Sequence, residues 1–282
     1  MARPPAAAEL HLVPPPAGGI YRLGRGDRPF AWSQGRTLDQ TITETLGELD
    51  DGDVPVLLAG NRYDDPDNAF LTTYGATEEY GCALEKLAAF RDKQKDYEQQ
   101  VIEATSEEEP DPEFDLPLLR GIVPADFFDA PPGRADLRVV FGHIQLSQDA
   151  LFVDVEDGRT IEALDRLVDR ALLDSFGVDR VDRGLTLSRD RRITRPLARE
   201  IHRIARGSDE PPGAVGIRYT SAHDSQVECW AIWETAQRFI QSEPGPYPVD
   251  FTSTAVRQAA ARLHLQLPSV HPSPPIPGIQ QF

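Results

Sequence analysis

The chain has 282 residues, of which 40% are hydrophobic and 8% aromatic, and its formal net charge is −17. This length and composition are typical of a globular protein with one large domain or two small ones. The negative charge argues against a nucleic acid as partner, because such binding draws most of its affinity from cations that displace counterions. A small anionic ligand stays compatible with this charge if a few arginines converge locally.

The two cysteines and the absence of long apolar runs indicate the compartment. Cys82 and Cys229 have no CxxC spacing and predict no disulfide framework, which fits a reducing environment. The beginning of the chain has no apolar stretch of signal-peptide length, and no later run approaches about 18 uninterrupted apolar residues. We therefore expect a cytoplasmic protein without a membrane-spanning segment.

Composition divides the chain into a main domain, an extension and two tails. Residues 1–18 and 268–282 are rich in proline and are predicted to be disordered tails. The main domain is predicted at 19–240, with an acidic insertion at about 93–115 that contains EEEPDPEFD. A helical extension is predicted at 241–267.

Six short segments, rich in β-branched or aromatic residues and bounded by turn formers, predict strands. They are VPVLLAG (54–60), AFLTTY (69–74), LRVVFGHI (137–144), LFVDV (151–155), VGIRYT (215–220) and VECWAIW (227–233).

Four segments with apolar residues at helical spacing predict helices. They cover 77–91, 160–176, 194–206 and about 253–265, and they start at Thr77, Thr160, Thr194 and Ser253. The second and third are predicted to stop at Gly177 and Gly207. Because the helices do not alternate one for one with the strands, we predict an α+β fold with a small mixed β-sheet core and flanking helices.

Two polar motifs suggest chemistry that their spacing does not support. DDPDN (64–68) has three aspartates but lacks the glycine and the carboxylate that a calcium loop needs further on, so ordinary turn chemistry is favoured and no metal site is predicted. SAHD (221–224) contains Ser, His and Asp, but neighbours on one short turn seldom converge as a catalytic triad.

The segment RDRRITRPLAREIHRIAR (189–206) is locally basic in an acidic protein. We interpret it as an amphipathic helix with a solvated arginine face. The alternative is a binding surface for an acidic partner or a nucleic acid.

Glu85 and Tyr74 raise the question of a ligand pocket. Helical periodicity places Glu85 one step off the apolar stripe, where a solvated glutamate is the ordinary interpretation. The same flank of this helix carries several small residues: Gly81, Cys82, Ala88 and Ala89. Small neighbours let a ligand approach the carboxylate, and Tyr74, at the end of a predicted strand, can present its ring to the same space. An arginine beside such a cleft is a natural clamp for a diphosphate.

Three segments together resemble the RES domain family, toxins of bacterial toxin–antitoxin pairs that are named for their Arg, Glu and Ser. GIYRLGRG (19–26) resembles the opening strand of the family. GNRYDDPDNAFLTTYGATEEYGCALEKLAAFR (60–91) resembles its turn, strand and helix, and GIRYTSAHDSQVECWAIWE (216–234) resembles its pair of strands with the serine. The matching residues are Arg22 in the first segment, Arg62, Tyr74 and Glu85 in the second, and Ser221 in the third.

Two departures from the family pattern accompany this resemblance. Asn61 stands where the family turn has its second glycine, and Asn adopts left-handed backbone less freely than Gly. The interval between Arg22 and Arg62 is longer than in compact members.

The resemblance implies an ADP-ribosyltransferase-like fold with NAD as substrate. NAD would be consumed by hydrolysis, by phosphorolysis with inorganic phosphate as co-substrate, or by ADP-ribosylation of a protein, and all three break the nicotinamide N-glycosidic bond. The alternatives are therefore an NAD-degrading toxin, a protein ADP-ribosyltransferase and a catalytically inactive RES-like interaction module. The implied partner is a helix-turn-helix antitoxin, and a homodimer is left open.

The resemblance also implies a role for each matching residue. The Glu85 carboxylate would stabilise the oxocarbenium-like ribose, and Tyr74 would stack on the cationic nicotinamide ring. Arg22 and Arg62 would hold the diphosphate or phosphate. Ser221 would donate a hydrogen bond to the ribose or amide of the substrate.

Overall fold

Nine strands form one mixed sheet in the described part of the chain. The computed structural model describes residues 9–30, 32, 61–104, 121–129, 138–206 and 213–268, without the side chains of 92–104. The strands are β1 Leu12–Val13, β2 Ile20–Arg25, β3 Thr72–Ala76, β4 Val139–Leu146, β5 Phe152–Asp154, β6 Gly216–Thr220, β7 Glu228–Trp233, β8 Ile240–Ser242 and β9 Tyr247–Pro248. Their order is β1-β5-β6-β7-β3-β2-β4-β8, with β9 also paired to β4, and among these pairs only β5 and β6 run parallel.

Six helices flank this sheet within the described residues. They are α1 Glu79–Ala104, α2 Gly158–Leu167, α3 Arg170–Ser175, α4 Arg183–Thr186, α5 Arg191–Arg206 and α6 Thr254–Leu263, and a 3-10 helix covers Glu234–Phe239. No helix of the described residues is long and apolar enough to cross a membrane. The predicted combination of a mixed sheet and flanking helices is confirmed, although nine strands make the sheet larger than the small core we expected.

Both faces of the sheet are buried, because its strands alternate between two hydrophobic clusters. In β7, Cys229, Ala231 and Trp233 belong to the larger cluster under α1, α2, α5 and α6. The intervening residues Trp230 and Ile232 point to the opposite face and join a second, smaller cluster. Period-two alternation with apolar residues on both sides explains why this strand contains little polar surface.

Strand β3 continues past Tyr74, where the sequence predicted it to end. Gly75 and Ala76 pair with Trp230 and Cys229 of β7, so Tyr74 lies in the middle of the strand. A Cβ atom on Gly75 would lie 2.5 Å from the carbonyl oxygen of Tyr21. The glycine therefore permits the close approach of β2 and does not form a turn.

The predicted start of α1 at Thr77 is wrong, because tertiary contacts use this threonine elsewhere. Its hydroxyl oxygen accepts a hydrogen bond of 3.0 Å from the indole nitrogen of Trp230, and the helix begins at Glu79. The helix extends to Ala104 and therefore includes the first part of the predicted acidic insertion, whose remaining residues lie outside the described ranges.

The predicted helix at 160–176 consists of two helices, α2 and α3. Asp157 caps α2 by accepting from the Arg159 amide, and Asp169 caps α3 in the same way. Thr160, the predicted start, lies inside α2, where its hydroxyl accepts a hydrogen bond from the backbone of His11. The predicted stop at Gly177 is a left-handed residue with φ +68°.

Helix α5 starts three residues before the predicted Thr194, and α6 follows Ser253 as predicted. The predicted strands at 137–144, 151–155, 215–220 and 227–233 correspond to β4, β5, β6 and β7 within two residues at each end. The predicted strand 54–60 and the stop at Gly207 lie outside the described residues.

The predicted N-terminal tail and C-terminal extension both contribute strands to the sheet. Strand β1, within the predicted tail, pairs with β5. Strand β9, within the extension predicted as helical, pairs with β4, and α6 packs on α1. Residues 269–282 of the predicted Pro-rich tail lie outside the described ranges.

Gly81 lets α1 approach the sheet, and its replacement should reduce stability. A Cβ atom at this position would lie 2.7 Å from Val227 Cγ1 and 2.8 Å from Ala76 Cβ. We expect Gly81→Ala to lower the free energy of unfolding by about 1–3 kcal/mol in urea titrations, because overpacking outweighs the helix propensity of alanine. In the matched control Gly158→Ala, where nothing lies within 4 Å, stability should be unchanged or higher. Equal effects of the two variants would contradict this packing role.

His202 should make the folded state sensitive to mild acid. Its ring stacks on the ring of Phe70, with the two ring centroids 4.1 Å apart, and it makes an edge contact with Trp233 at a centroid distance of 4.7 Å. Burial, reinforced by Arg206 and opposed by Asp65, lowers the pKa of His202 to about 4. In the unfolded chain, His202 has an ordinary pKa of about 6.5. Between this pH and about 4, the unfolded chain therefore binds a proton at His202 that the folded chain does not bind.

We expect the free energy of unfolding to fall as the pH drops from about 6.5 to about 4, and to fall less in His202→Gln. Urea titrations of both proteins across this range measure the difference between the two slopes, which removes the contribution of carboxylates common to both. Parallel slopes would show that His202 does not titrate as described.

Candidate functional site

A cavity of about 420 Å³ opens beside the middle of the sheet. Its size lies in the range of small-molecule sites. Residues far apart in the sequence line it, from β2, the loop before β3, β3 itself, α1, the start of α5 and the segment before it, and β6 with the turn that follows it. Four of the five predicted site residues line this cavity: Arg22, Arg62, Tyr74 and Glu85.

Arg22 reaches the cavity from β2 and is held by β3. Its Nη1 atom donates a hydrogen bond of 3.1 Å to the carbonyl oxygen of Tyr74 and another to the hydroxyl of Thr73. Burial lowers the pKa of Arg22, with Cys82, Tyr74 and Asp64 acting in the opposite direction. Its Nε atom is buried and has no hydrogen-bond partner among the described residues. The strand pair thus presents a cation whose hydrogen-bonding capacity is only partly used.

Arg62 lies in the loop before β3, between two aromatic rings. Its guanidinium carbon is 5.5 Å from the ring centroid of Tyr219 and 5.8 Å from that of Tyr63. Burial acts to lower the pKa of Arg62, but Tyr63, Tyr219 and Glu85 outweigh it and the pKa is raised. The arginine therefore stays charged and is oriented by cation–π contacts.

Tyr74 is anchored by its hydroxyl group. The hydroxyl donates a hydrogen bond of 2.7 Å to Asp64 Oδ1 and accepts one of 2.9 Å from the backbone amide of Tyr63. Burial, followed by the charge of Asp64, raises the pKa of Tyr74 far above its ordinary value. A phenol that stays protonated cannot serve as a general base near neutral pH, so the contribution of Tyr74 is its ring and its anchoring bonds.

Glu85 and Ser221 contact each other directly. The Ser221 hydroxyl donates a hydrogen bond of 2.5 Å to Glu85 Oε1, and it accepts one of 3.0 Å from the backbone amide of His223. Ser221 follows β6 and is only 5% exposed, whereas Glu85 lies on α1 with an exposed side chain. The Glu85 side chain is thus exposed, as helical periodicity predicted, and it also lines the cavity with one carboxylate oxygen held by the serine.

Three further cations line the cavity: Lys86, Arg189 and Arg191. Arg189 donates a hydrogen bond of 2.9 Å to the carbonyl oxygen of Ala222, next to Ser221. Burial, reinforced by Arg22 and Arg25, lowers the pKa of Lys86. None of these three residues is predicted from the sequence as part of the site. For Arg189 and Arg191, the sequence signal that indicates a cationic site is the basic segment 189–206, which we interpreted as a solvated helix face.

Two other arginines of that segment, Arg195 and Arg199, anchor the DDPDN turn. Arg195 is 4% exposed and donates to the carbonyl oxygens of Asp64, at 3.4 Å, and Asp65, at 3.0 Å. Arg199 forms ion pairs of 2.8 Å with Asp65 and 2.6 Å with Asp67. Asp65 also accepts from the backbone amides of Asp67 and Ala69, which is the turn chemistry that the sequence predicted. Among the residues that the structure describes, no group of three or more His, Cys, Asp and Glu is placed to hold a metal ion.

The SAHD motif does not form a triad. Ser221 donates to Glu85, and the Asp224 carboxylate accepts from Tyr80 at 3.0 Å and pairs with Arg262 at 3.4 Å. The serine and the aspartate of this motif therefore belong to different hydrogen-bond networks.

Comparison of the chain with protein-family models, with curated proteins and with solved structures gave no match. The likeness to the RES family thus stays a prediction from three sequence segments, and so does the ADP-ribosyltransferase-like form of the fold.

The cluster of cations predicts that the cavity binds a diphosphate. Inorganic pyrophosphate should raise the midpoint of thermal unfolding, and at about 100 times its Kd it should add about 2.7 kcal/mol to the free energy of unfolding. We expect Arg62→Gln and Lys86→Gln each to weaken pyrophosphate binding roughly tenfold, measured by calorimetric titration. Arg257→Gln, which changes an exposed arginine that does not line the cavity, serves as the control and should bind as the unchanged protein does. Equal loss in all three variants would indicate nonspecific charge attraction.

Proposed function

We propose that the protein is a RES-type enzyme that degrades NAD by cleaving the bond between nicotinamide and ribose. The observation that supports this most strongly is the Glu85 carboxylate, hydrogen-bonded to Ser221, in the same cavity as Arg22, Arg62 and Tyr74. The resemblance of three sequence segments to one family pattern singles out these five residues. They come from positions as distant as 22 and 221, and the fold brings them together.

The charge distribution around the cavity supports a diphosphate ligand. The chain carries a net charge of −17, yet five cationic side chains line the cavity, together with the Glu85 carboxylate. They are Arg22, Arg62, Lys86, Arg189 and Arg191. Like charges at close range repel each other, and a bound dianion relieves this repulsion. Arginine is also suited to diphosphate because its planar fork binds two oxygens at once.

The carboxylate supports chemistry at a ribose that becomes cationic. When the N-glycosidic bond breaks, its electron pair goes to the pyridinium nitrogen, and nicotinamide leaves as a neutral molecule without a general acid. The ribose C1 becomes electron-deficient, and a carboxylate next to it stabilises the oxocarbenium-like transition state. A fixed anion is effective here because its orientation requires no reorganisation during the reaction.

The nucleophile decides which product forms. In hydrolysis, a water oxygen bonds to C1 and the released proton passes to Glu85 or to solvent. In phosphorolysis, an oxygen of inorganic phosphate bonds to C1, and the same cationic residues that hold the diphosphate can seat this co-substrate. Both reactions need the Glu85 carboxylate ionised and oriented.

Ser221 and Tyr74 would act on either side of this bond. Ser221 holds one carboxylate oxygen, leaving the other oxygen of Glu85 for the ribose. The Tyr74 ring is electron-rich and lines the cavity, so it can stack on the cationic nicotinamide of the substrate. A helix-turn-helix antitoxin that covers this cleft is the partner that belongs to the same proposal.

Incubation of the purified protein with NAD, with and without inorganic phosphate, tests the proposal through the release of nicotinamide. We expect Glu85→Gln to reduce kcat roughly 10²–10³-fold, since it removes a charge that acts mainly in the transition state. Arg62→Ala should mainly raise KM. Glu162→Gln, which changes an exposed glutamate of α2, is the matched control and should leave the rate unchanged.

The products separate the alternative functions. ADP-ribose points to hydrolysis, and a phosphorylated ADP-ribose that appears only with phosphate points to phosphorolysis. Transfer of radiolabel to protein, with little free product, would replace the proposal by protein ADP-ribosylation. No nicotinamide release under any of these conditions would overturn the enzyme and favour an inactive interaction module.

A further inference from the structure

We propose that Asp64 and the hydroxyl group of Tyr74 form a positioning device for Arg62. Tyr74 would then act on the ligand through Arg62 as well as through its ring. The identity of the ligand, a diphosphate compound, rests on the proposed function, but the device itself is a property of the loop before β3.

The carboxylate of Asp64 connects the two sides of this device. Asp64 is 8% exposed, and its Oδ1 atom accepts the hydroxyl hydrogen bond of Tyr74 at 2.7 Å. Its Oδ2 atom accepts from the backbone amide of Asn61 at 2.5 Å and from the side-chain amide of Asn61 at 3.3 Å. Both oxygens are therefore occupied by groups that belong to the wall of the cavity. A nearly buried carboxylate needs such partners, because burying an unpaired charge is costly.

The residues on both sides of Arg62 are held by this pair. Asn61 is bonded to Asp64, and the backbone amide of Tyr63 donates to the Tyr74 hydroxyl at 2.9 Å. The phenol thus accepts from one neighbour of Arg62 and donates to the carboxylate that holds the other neighbour. Loss of this single hydroxyl leaves the Tyr63 amide without its acceptor and Asp64 Oδ1 without its donor.

The far side of the loop is anchored on the helices. The Tyr63 hydroxyl donates to the carbonyl oxygen of Thr186 at 2.9 Å, and Arg195 of α5 donates to the carbonyl oxygens of Asp64 and Asp65. The loop is therefore attached to α4 and α5 behind and to β3 in front. The hydroxyl of Tyr74 supplies the attachment of this loop to β3.

Orientation of Arg62 is what the device contributes to binding. The guanidinium lies 5.8 Å from the Tyr63 ring, so movement of the Tyr63 backbone shifts a surface that Arg62 rests on. An arginine that is already oriented loses less conformational freedom when it binds a phosphate. Without the hydroxyl bonds, part of the binding free energy is used to order the loop, and affinity falls.

A double-mutant cycle on Tyr74 and Arg62 tests this coupling, with ADP binding measured by calorimetric titration. We expect Tyr74→Phe, which keeps the ring, to weaken ADP binding roughly tenfold. In an Arg62→Ala background the same change should have little further effect, because the residue it acts through is absent. Asp64→Asn should behave like Tyr74→Phe, since its single side-chain oxygen cannot accept from both Asn61 and the Tyr74 hydroxyl.

Two controls separate positioning from general destabilisation. Tyr80→Phe removes another tyrosine hydroxyl bonded to an aspartate, Asp224 at 3.0 Å, from a side chain that does not line the cavity, and it should leave ADP affinity unchanged. Thermal unfolding verifies that each variant is folded at the temperature of the titration. In NAD turnover, Tyr74→Phe should raise KM with kcat nearly unchanged, because diphosphate binding is shared by ground and transition states.

The inference is overturned if Tyr74→Phe binds ADP as tightly as the unchanged protein, or if it loses as much affinity with Ala at position 62 as with Arg. Either result would leave the ring as the sole contribution of Tyr74, while nicotinamide release would continue to support the proposed function. If the unchanged protein neither binds ADP nor releases nicotinamide, the proposed function itself fails. If Asp64→Asn is folded but Tyr74→Phe is not, the ADP affinity of Asp64→Asn, measured with and without Arg62→Ala, tests the coupling in the same way.

Discussion

The pairing of β3 with β7 is the constraint on which the rest of the structure depends. Five consecutive residues of β3 pair with β7, from Thr72 with Trp233 to Ala76 with Cys229. Strand β7 in turn pairs with β6, and β2 lies on the other side of β3. This order places Arg22, Tyr74 and Ser221 on neighbouring strands or directly after one, although about 200 residues separate the first from the last.

The same pairing determines where α1 begins and which residues it offers to the cavity. Because β7 binds Gly75 and Ala76, β3 continues past Tyr74, and the indole of Trp230 occupies the hydroxyl of Thr77. The helix therefore starts at Glu79, and Gly81 lets it lie close to the sheet. At this separation the Glu85 carboxylate reaches the hydroxyl of Ser221.

The concentration of cations in one cavity of an acidic protein is the second organising feature. Burial lowers the pKa of Arg22, and burial reinforced by Arg22 and Arg25 lowers the pKa of Lys86. Hydrogen bonds to Thr73 and Tyr74 hold Arg22 in place, and the rings of Tyr63 and Tyr219 hold Arg62. Because the fold brings these cations together, we expect the cavity to prefer anionic ligands although the chain as a whole is acidic.

The amino-acid sequence alone predicted the mixed α+β class, most of the strands and four helical segments, because alternation and helical spacing are local properties. It also singled out Arg22, Arg62, Tyr74, Glu85 and Ser221 by their resemblance to a family pattern.

Long-range contacts bring four of these residues to one cavity and bond Ser221 to Glu85, and no local rule relates β2 to a turn about 200 residues later. Such contacts also keep Thr77 from capping α1, place Arg189 and Arg191 at the cavity and bury Arg195 beneath a turn. In each case a long-range partner competes with solvent or with the local backbone for the same polar group, and that partner is invisible to periodicity.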